Sequence, residues 1–438
     1  MNIFVKIFLM TYYVDISGKL DSYGVGSKIN FSNLKELNMN IVTKLFLSMV
    51  LTCSLVFLGA NAFAFDDKLL IGDIEILSGQ AAAGGLGNYR GLQLAVKHKN
   101  ERGGVKVGGK AYELWTKVYD HKYTSEGGVT TATKLVFDDG AKFVVGTFGS
   151  APSISASEGV FEPNKILYAT TGWSQKCIGA DKPYTFRLHM TGLQYNGAFY
   201  SYAKENLPKL KKVALLAIND ATGYAVVKDV KAIAKEKGFE ITTIEFYDRG
   251  TTTDFYPFLT KIMATEPDIF DTGSATPGDE GLILKQLYEL GWNGVTIAAG
   301  QVPGVLLEVA GKEATNGVYL AQTLNYESGP PIITPEQEKF AEDYRKTFNE
   351  EEVPMLSEKV YDMAMGLFQV MEKEDSLDTT IVRDALEKYN WKLLNGSMSR
   401  WGGKKTYGID HQLITPVFVS QIRDGKVVTI GKVLPEVP

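Results

Sequence analysis

The chain has 438 residues, of which 45% are hydrophobic and 22% charged, enough apolar material for a large core and too balanced a mixture for a disordered or fibrous protein. Five lysines and three acidic groups fall in residues 1–64, which leaves 41 basic against 48 acidic side chains in the remainder, a net of −7. An acidic balance without a lysine or arginine block argues against nucleic acid or an anionic membrane surface as partner.

Residues 45–60 (LFLSMVLTCSLVFLGA) form an apolar run preceded by Lys44 and followed by Ala62-Phe63-Ala64, an A-x-A cleavage pattern. The run is shorter than the roughly 20 residues a membrane span needs. Cys53 lies inside it behind Thr52, not at its end behind a small residue, so lipidation is not expected. Met39-Asn40-Ile41 restarts the pattern of Met1-Asn2-Ile3 and opens an n-region of ordinary length. Residues 1–64 therefore read as an extension plus a secretory signal, with translation expected from Met39 and the exported chain from about Phe65. That segment takes one of the two cysteines with it. Cys177 is then alone, and neither a disulfide nor a thiolate metal cage can be built. His98, His121, His189 and His411 show no ligand spacing, and no metal or other cofactor is expected.

From Lys68 onward, short β runs alternate with amphipathic helices. Strands are expected over 69–76, 112–119, 143–146 and 166–169, with helices over 88–101, stopped by Gly103-Gly104, and over 130–137. A second set repeats the grammar: strands 213–218, 240–246, 269–272 and 295–299, with helices 224–237, 256–264 and 281–290. Helical patterns over 335–348, 357–372 and 379–389 follow, then a hairpin of 415–423 and 427–430 around Asp424-Gly425. Alternation at this spacing means parallel sheets covered by helices, and two such sets imply two doubly wound α/β lobes. No low-complexity linker separates them, so the hinge must consist of short crossings; the Gly/Pro-rich stretch 327–331 reads as a surface loop.

Ligands in open α/β sheets bind outside the carboxyl ends of the strands. That rule selects Leu77-Ser78-Gly79-Gln80, the loop after Gly146 with Ser150, Ala151 and Ser153, and the loop after Ala169 with Thr171, Gly172, Trp173 and Ser174. It also selects Asn219-Asp220-Ala221-Thr222-Gly223-Tyr224 and Gly300-Gln301-Val302-Pro303. Their hydroxyls and N–H groups can receive a carboxylate without a cationic side chain, although each hydroxyl can equally be a helix cap. Trp173, between Gly172 and Ser174 at a strand's carboxyl end, suits a ligand wall. Catalytic signatures are missing. The stretch from Gly84 to Gly91 fails G-x-G-x-x-G because Arg90 stands at the third glycine, and there is no P-loop, nucleophile elbow or H-E-x-x-H. A binding protein is expected, not an enzyme.

With these loops placed, the chain resembles periplasmic solute-binding proteins of the branched-chain amino acid ABC-transporter type, which have the type I periplasmic binding fold. The resemblance rests on Leu77-Ser78-Gly79, Gly91-Leu92-Gln93-Leu94-Ala95, Asn100-Glu101-Arg102-Gly103-Gly104 and Lys134-Leu135-Val136 leading to Val145-Gly146 and Gly149-Ser150. Later come Tyr361-Asp362-Met363-Ala364, Asp410-His411, Pro416-Val417-Phe418-Val419 and Asp424-Gly425-Lys426, in the family's order.

It implies three inter-lobe crossings, expected near Thr191, Gln322 and Gly402, and so a first lobe of 65–191 with 322–401 and a second of 192–321 with 402–438. It also implies a small organic ligand, a likeness to receptors that serve permease subunits of an ABC transporter, a periplasmic or extracytoplasmic place and a monomer without stable membrane insertion. By family pattern the ligand carboxylate falls to Ser150, Ala151, Ser153, Gly172 and Ser174, with Ser78, Gln194, Thr222 and Tyr224 completing the candidate set. The departures are Gln301 at the position of the acidic ammonium partner, and Gly84 and Ala275 where covering tyrosines stand. A buried ammonium without a carboxylate is costly. The expected ligand is therefore a carboxylate lacking the α-amino group, aromatic and stacked on Trp173, with an amino acid or amide as the alternative. A chemosensory or regulatory receptor of the same fold is the reading from another class.

Overall fold

The computed structural model describes residues 64–79, 82–273, 275–301, 303–327, 331–351, 353–354 and 356–435. The expected signal run, Cys53, the start at Met39, Gln80, Val302 and residues 328–330 of the surface loop lie outside them.

The strands, in chain order, are β1 (Asp67–Glu75), β2 (Val105–Val107), β3 (Lys110–Asp120), β4 (Phe143–Gly146), β5 (Leu167–Thr170), β6 (Thr185–Arg187), β7 (Lys212–Ile218), β8 (Glu240–Tyr247), β9 (Ile269–Asp271), β10 (Val295–Ala299) and β11 (Tyr319–Gln322). A two-stranded ribbon of β12 (Asn325–Tyr326) and β13 (Pro331–Ile332) follows, then β14 (Trp401–Gly402), β15 (Gln412–Leu413), β16 (Val417–Arg423) and β17 (Lys426–Val433).

Among the described residues the first sheet runs β14-β15-β6-β5-β4-β1-β3-β2 and the second β17-β16-β11-β10-β9-β7-β8. From β3 through β1, β4, β5 and β6 to β15 every pairing is parallel, and so is every pairing from β8 through β7, β9 and β10 to β11. Apolar residues cover both faces of each sheet. Ile71, Phe143, Val145 and Leu167 pack on one side of the first and Leu70, Ile74, Val144 and Tyr168 on the other, the arrangement that makes central parallel strands read as continuous apolar runs.

The helices that matter for the site are α1 (Ala82–Asn100), α2 (Ser125–Thr133), α3 (Ser150–Ala156), α4 (Gly192–Asn206), α5 (Ala221–Lys237), α6 (Tyr256–Met263), α7 (Pro277–Glu289), α8 (Pro303–Thr315), α9 (Pro335–Phe348) and α10 (Ser357–Lys373). Helix α1 starts six residues before the expected position. Its glycines serve close packing: a Cβ on Gly85 would stand 2.1 Å from the Ile76 carbonyl oxygen, and one on Gly91 2.3 Å from that of Ser357.

Side-chain packing locates the crossings. Leu188 belongs to the first sheet's core and Met190 to the second's, so the chain passes between lobes at His189. The crossing expected near Gln322 lies farther on: Tyr326 is buried with Leu320 and Ile422, and its N–H donates to Thr429 Oγ1 at 2.9 Å, which keeps it with the second lobe. The crossing expected near Gly402 moves to 414–416, because β14 and β15 join the first sheet, with Gln412 in register with Arg187, while β16 pairs with β11.

Candidate ligand-binding site

In each sheet the winding reverses beside the first strand, between β1 and β4 and between β7 and β9. A crevice outside the carboxyl ends of such strands is where doubly wound proteins bind ligands. Here a cavity of about 720 Å³ lies there, reached by Ile76, Phe148, Gly149, Thr171 and Trp173 from the first sheet's loops and by Thr222, Arg249, Ala275, Asp279 and Gln301 from the second's.

A buried polar ledge on β1 holds the first-lobe loop. Asp73 accepts the Thr147 N–H at 3.2 Å and Glu75 the Phe148 N–H at 2.7 Å. The loop turns sharply, with Thr147 at φ 69° and Gly149 at φ 107°, and at Gly146 a Cβ would stand 2.0 Å from Asp73 Oδ1. Burial raises both carboxyls, Asp73 well above its ordinary value with the Glu75 charge adding to the effect, and Glu75 to about 8. Burial also lowers the neighbouring His121 to about 4. Burial thus disfavours charge on the ledge, and the loop is held by hydrogen bonds from its own N–H groups.

The walls are aromatic. Tyr123 and Phe148 have ring centroids 6.2 Å apart, and a Cβ on Gly84 would stand 2.9 Å from the Phe148 ring. The Trp173 indole stacks on Tyr195 at 5.6 Å and meets His189 edge-on at 4.8 Å. The second lobe adds charge. The Arg249 guanidinium lies 5.3 Å from the centre of the Tyr123 ring and donates from Nη2 to Asp220 at 2.9 Å. Asp220 in turn caps α5, accepting the Thr222 and Gly223 N–H groups at 2.8 and 3.0 Å. Asp279 Oδ2 accepts the Thr276 hydroxyl at 2.6 Å and the Tyr247 hydroxyl at 3.2 Å.

Of the residues singled out from sequence, Gly84, Thr171, Trp173, Thr222, Ala275, Gly300 and Gln301 line this cavity together. The serines are engaged elsewhere. Ser150 Oγ accepts the Ser174 N–H at 2.9 Å and shares a hydrogen bond with Thr222 Oγ1 across the lobes at 3.1 Å. Ser153 donates to the Gly149 carbonyl at 2.6 Å and pairs with Thr170 at 2.7 Å. Ser174 caps a short turn through Lys176 N–H, and Ser78 donates to Asp120 at 2.6 Å. Gln194 completes a capping box with Thr191 at the start of α4. Tyr224 is 54% exposed and bonded to Asn219; Ala151 sits in the first turn of α3. Gly172 donates its N–H to Thr170 Oγ1, and a Cβ there would stand 2.7 Å from Cys177 Sγ.

Two expectations change. Where hydroxyls and N–H groups alone were expected to receive the carboxylate, Arg249 also reaches the cavity, and beside Gly84 and Ala275 the cavity is lined by Tyr123 and Phe148. His189 and Asp279 were not anticipated either. Tyr123 and Arg249 follow the carboxyl ends of β3 and β8, so the same loop rule, applied to every strand, selects them. Among the described residues no group of three His, Cys, Asp or Glu side chains could hold a metal ion.

Residues 68–426 match the family model of the periplasmic binding proteins. The Leu/Ile/Val-binding protein homolog 2 of Brucella abortus is 28% identical over 68% of this chain and 76% of its own length. A leucine-binding protein from Thermotoga maritima superposes with a TM-score of 0.69 at 21% identity, covering 84% of this chain and 99% of that one. A solute-binding protein of an ABC transporter from Rhodopseudomonas palustris, solved in complex with 3,4-dihydroxybenzoic acid, has a TM-score of 0.68 at 19% identity and covers 85% of this chain and 99% of that one. The matched span takes in both sheets up to the start of β17 and every loop that reaches the cavity, and the chain belongs to the periplasmic binding protein family.

Proposed function

We propose that the chain is the extracytoplasmic receptor of an ABC transporter, which takes a small organic carboxylate between its lobes, closes on it and presents it to the permease subunits without covalent chemistry. The observation that carries the ligand class is Arg249. Among the described residues it is the one lysine or arginine reaching the cavity, where its Nη2 bonds to Asp220 and its guanidinium lies over the Tyr123 ring, beside aromatic walls that suit an apolar body. The Rhodopseudomonas neighbour solved with an aromatic acid supports the same class. Closure is supported by contacts that span the lobes: Ser150 with Thr222, Tyr123 with Arg249, and Gln175 with Asp229. Among the described residues no helix is long and apolar enough to cross a membrane.

Titration calorimetry with benzoate, 3,4-dihydroxybenzoate and leucine tests the ligand class. A carboxylate is expected to bind more tightly than leucine, and Arg249→Met to weaken it by about 10- to 100-fold, the worth of a hydrogen bond to a charged group. Leucine binding more tightly, with affinity untouched by Arg249→Met, refutes the reading. Asp279 favours a second reading, an amino acid whose ammonium pairs with that carboxylate, and the Brucella relative agrees with it. In that case Asp279→Asn abolishes leucine binding.

A further inference from the structure

We propose that the ligand is a long monocarboxylate, an acid group on an apolar body larger than one ring, with its anion beside Arg249 and its far end against Trp173. The inference rests on the carboxylate reading and adds a size to it.

The lobes already touch through Ser150 with Thr222 and through Gln175 with Asp229, so the space left between them, about 720 Å³, is what a ligand has to fill. An apolar cavity of about 150 Å³ holds one benzene ring, which makes this space about five times what a single ring needs. Benzoate or leucine would leave most of it to water facing apolar walls. Cavities of this volume ordinarily enclose ligands several times larger.

The aromatic walls stand in two groups. Tyr123 packs on Phe148 at 6.2 Å, whereas Trp173 packs on Tyr195 at 5.6 Å and on His189 at 4.8 Å. Among the described residues no ring contact joins one group to the other. Tyr123, Phe148 and Trp173 each keep part of their surface exposed. Two of these rings rest on bare main chain: a Cβ on Gly149 would stand 2.7 Å from the Tyr123 ring, and one on Gly300 3.0 Å from the Trp173 indole. They are thereby seated as walls and leave the space in front of them open. Ile76, Ala83, Pro354 and Leu356 add apolar lining.

Charge is placed at one end. Arg249 lies over the Tyr123 ring, in the first aromatic group. Beside Trp173, burial lowers His189 to about 3, so the second group carries no cation. Among the described residues no other lysine or arginine reaches the cavity, and the Asp279 carboxylate would oppose a second anion. One acid group and a long uncharged body match this distribution.

The probes are benzoate, 3-phenylpropanoate, 4-phenylbutanoate and 4-phenylbenzoate, with 4-phenylbutanamide and leucine, titrated calorimetrically into the wild type and Trp173→Ala. A buried methylene is worth up to about fourfold in affinity, less the cost of ordering the chain. The tightest of the longer acids is therefore expected to bind the wild type about tenfold or more tighter than benzoate, and Trp173→Ala to cut that ratio to about threefold or less. A ratio read within each protein cancels a general loss of fold. Longer acids that bind no tighter than benzoate, or not at all, overturn the size inference and leave the carboxylate reading in place. A ratio that survives Trp173→Ala overturns the placement of the far end. An amide as tight as its acid overturns the carboxylate reading while the size stands, and leucine tighter than every acid overturns both.

Discussion

Asp229 gives the sharpest quantitative handle on how the lobes meet. It is fully buried on α5, accepts the Leu193 N–H at 3.0 Å at the start of α4, and receives Gln175 Nε2 from the first-lobe loop that follows Trp173. Burial lifts its carboxyl from 3.8 to about 7, against partial opposition from the Arg187 charge and the Leu193 amide. A raised acid binds a proton more tightly in the folded than in the unfolded chain. Its contribution is therefore fully present below pH 3.8 and is lost as pH rises through about 7. At about 1.4 kcal/mol per unit, the shift corresponds to about 4 kcal/mol in total, of which about 2 kcal/mol falls between pH 5 and 7. Asn is the permanent analogue of the protonated form. Its oxygen can accept from Leu193 while its amide faces a turned Gln175. Asp229→Asn is thus expected to match the wild type near pH 4 and to exceed its stability by a margin that widens up to pH 7. Urea denaturation at pH 5, 6, 7 and 8 measures the difference, and comparing the two proteins cancels the other raised carboxyls, such as Asp362 and Glu75. Parallel curves over that range would show that Asp229 is ionised and solvated in the folded protein, and the packing argument would fall.

Ser150→Ala removes the oxygen that joins the Ser174 N–H to the Thr222 hydroxyl across the lobes. It is expected to weaken ligand affinity by about 3- to 10-fold through a less populated closed form, with a larger radius of gyration in small-angle scattering; unchanged scattering would refute the latch. Gly85→Ala forces a Cβ to 2.1 Å from the Ile76 carbonyl, so α1 must move off the end of β1. Overpacking of this kind costs about 1–3 kcal/mol, measurable by urea denaturation, and a change under about 0.5 kcal/mol would refute it.

The long elements were legible because each carries many residues of one period. β7 reads as an apolar run since both its faces are covered, and α5 ends at Gly238 because that residue takes the left-handed conformation, φ 84°. Two-residue strands carry no period. β14 and β15 were invisible for that reason, and the third crossing was expected too early. The hydroxyl loops were found, but whether Ser153 binds a ligand or its own Gly149 carbonyl depends on where α3 starts, which is a tertiary outcome. Arg249 was missed for a different reason. Tyr247-Asp248-Arg249-Gly250 resembles an ordinary solvated turn, so the loop rule was not extended to it, although it follows the carboxyl end of β8 and meets Tyr123 at the cavity.

The aromatic loop of the cavity and two of the inter-lobe crossings are joined through Arg187. Its side chain is fully buried, and among the described residues it takes part in no ion pair closer than 4.0 Å, an arrangement that costs stability unless the guanidinium is otherwise engaged. Its partners engage two of its three nitrogens, and Nη2 stays buried without one. Nη1 donates to the Ser174 carbonyl at 2.6 Å, Nε to Gln412 Oε1, and the guanidinium lies 4.7 Å from the centre of the Tyr407 ring. Ser174 adjoins Trp173 of the cavity wall, Arg187 itself ends β6 just before the crossing at His189, and Gln412 belongs to β15 just before the crossing at 414–416. One cation thus ties the aromatic loop at the cavity to β6 and β15, which lead into two of the crossings. Bistable packing converts small shifts at a site into rigid-body motion. A displacement of Trp173 would therefore reach both crossings through a single buried group.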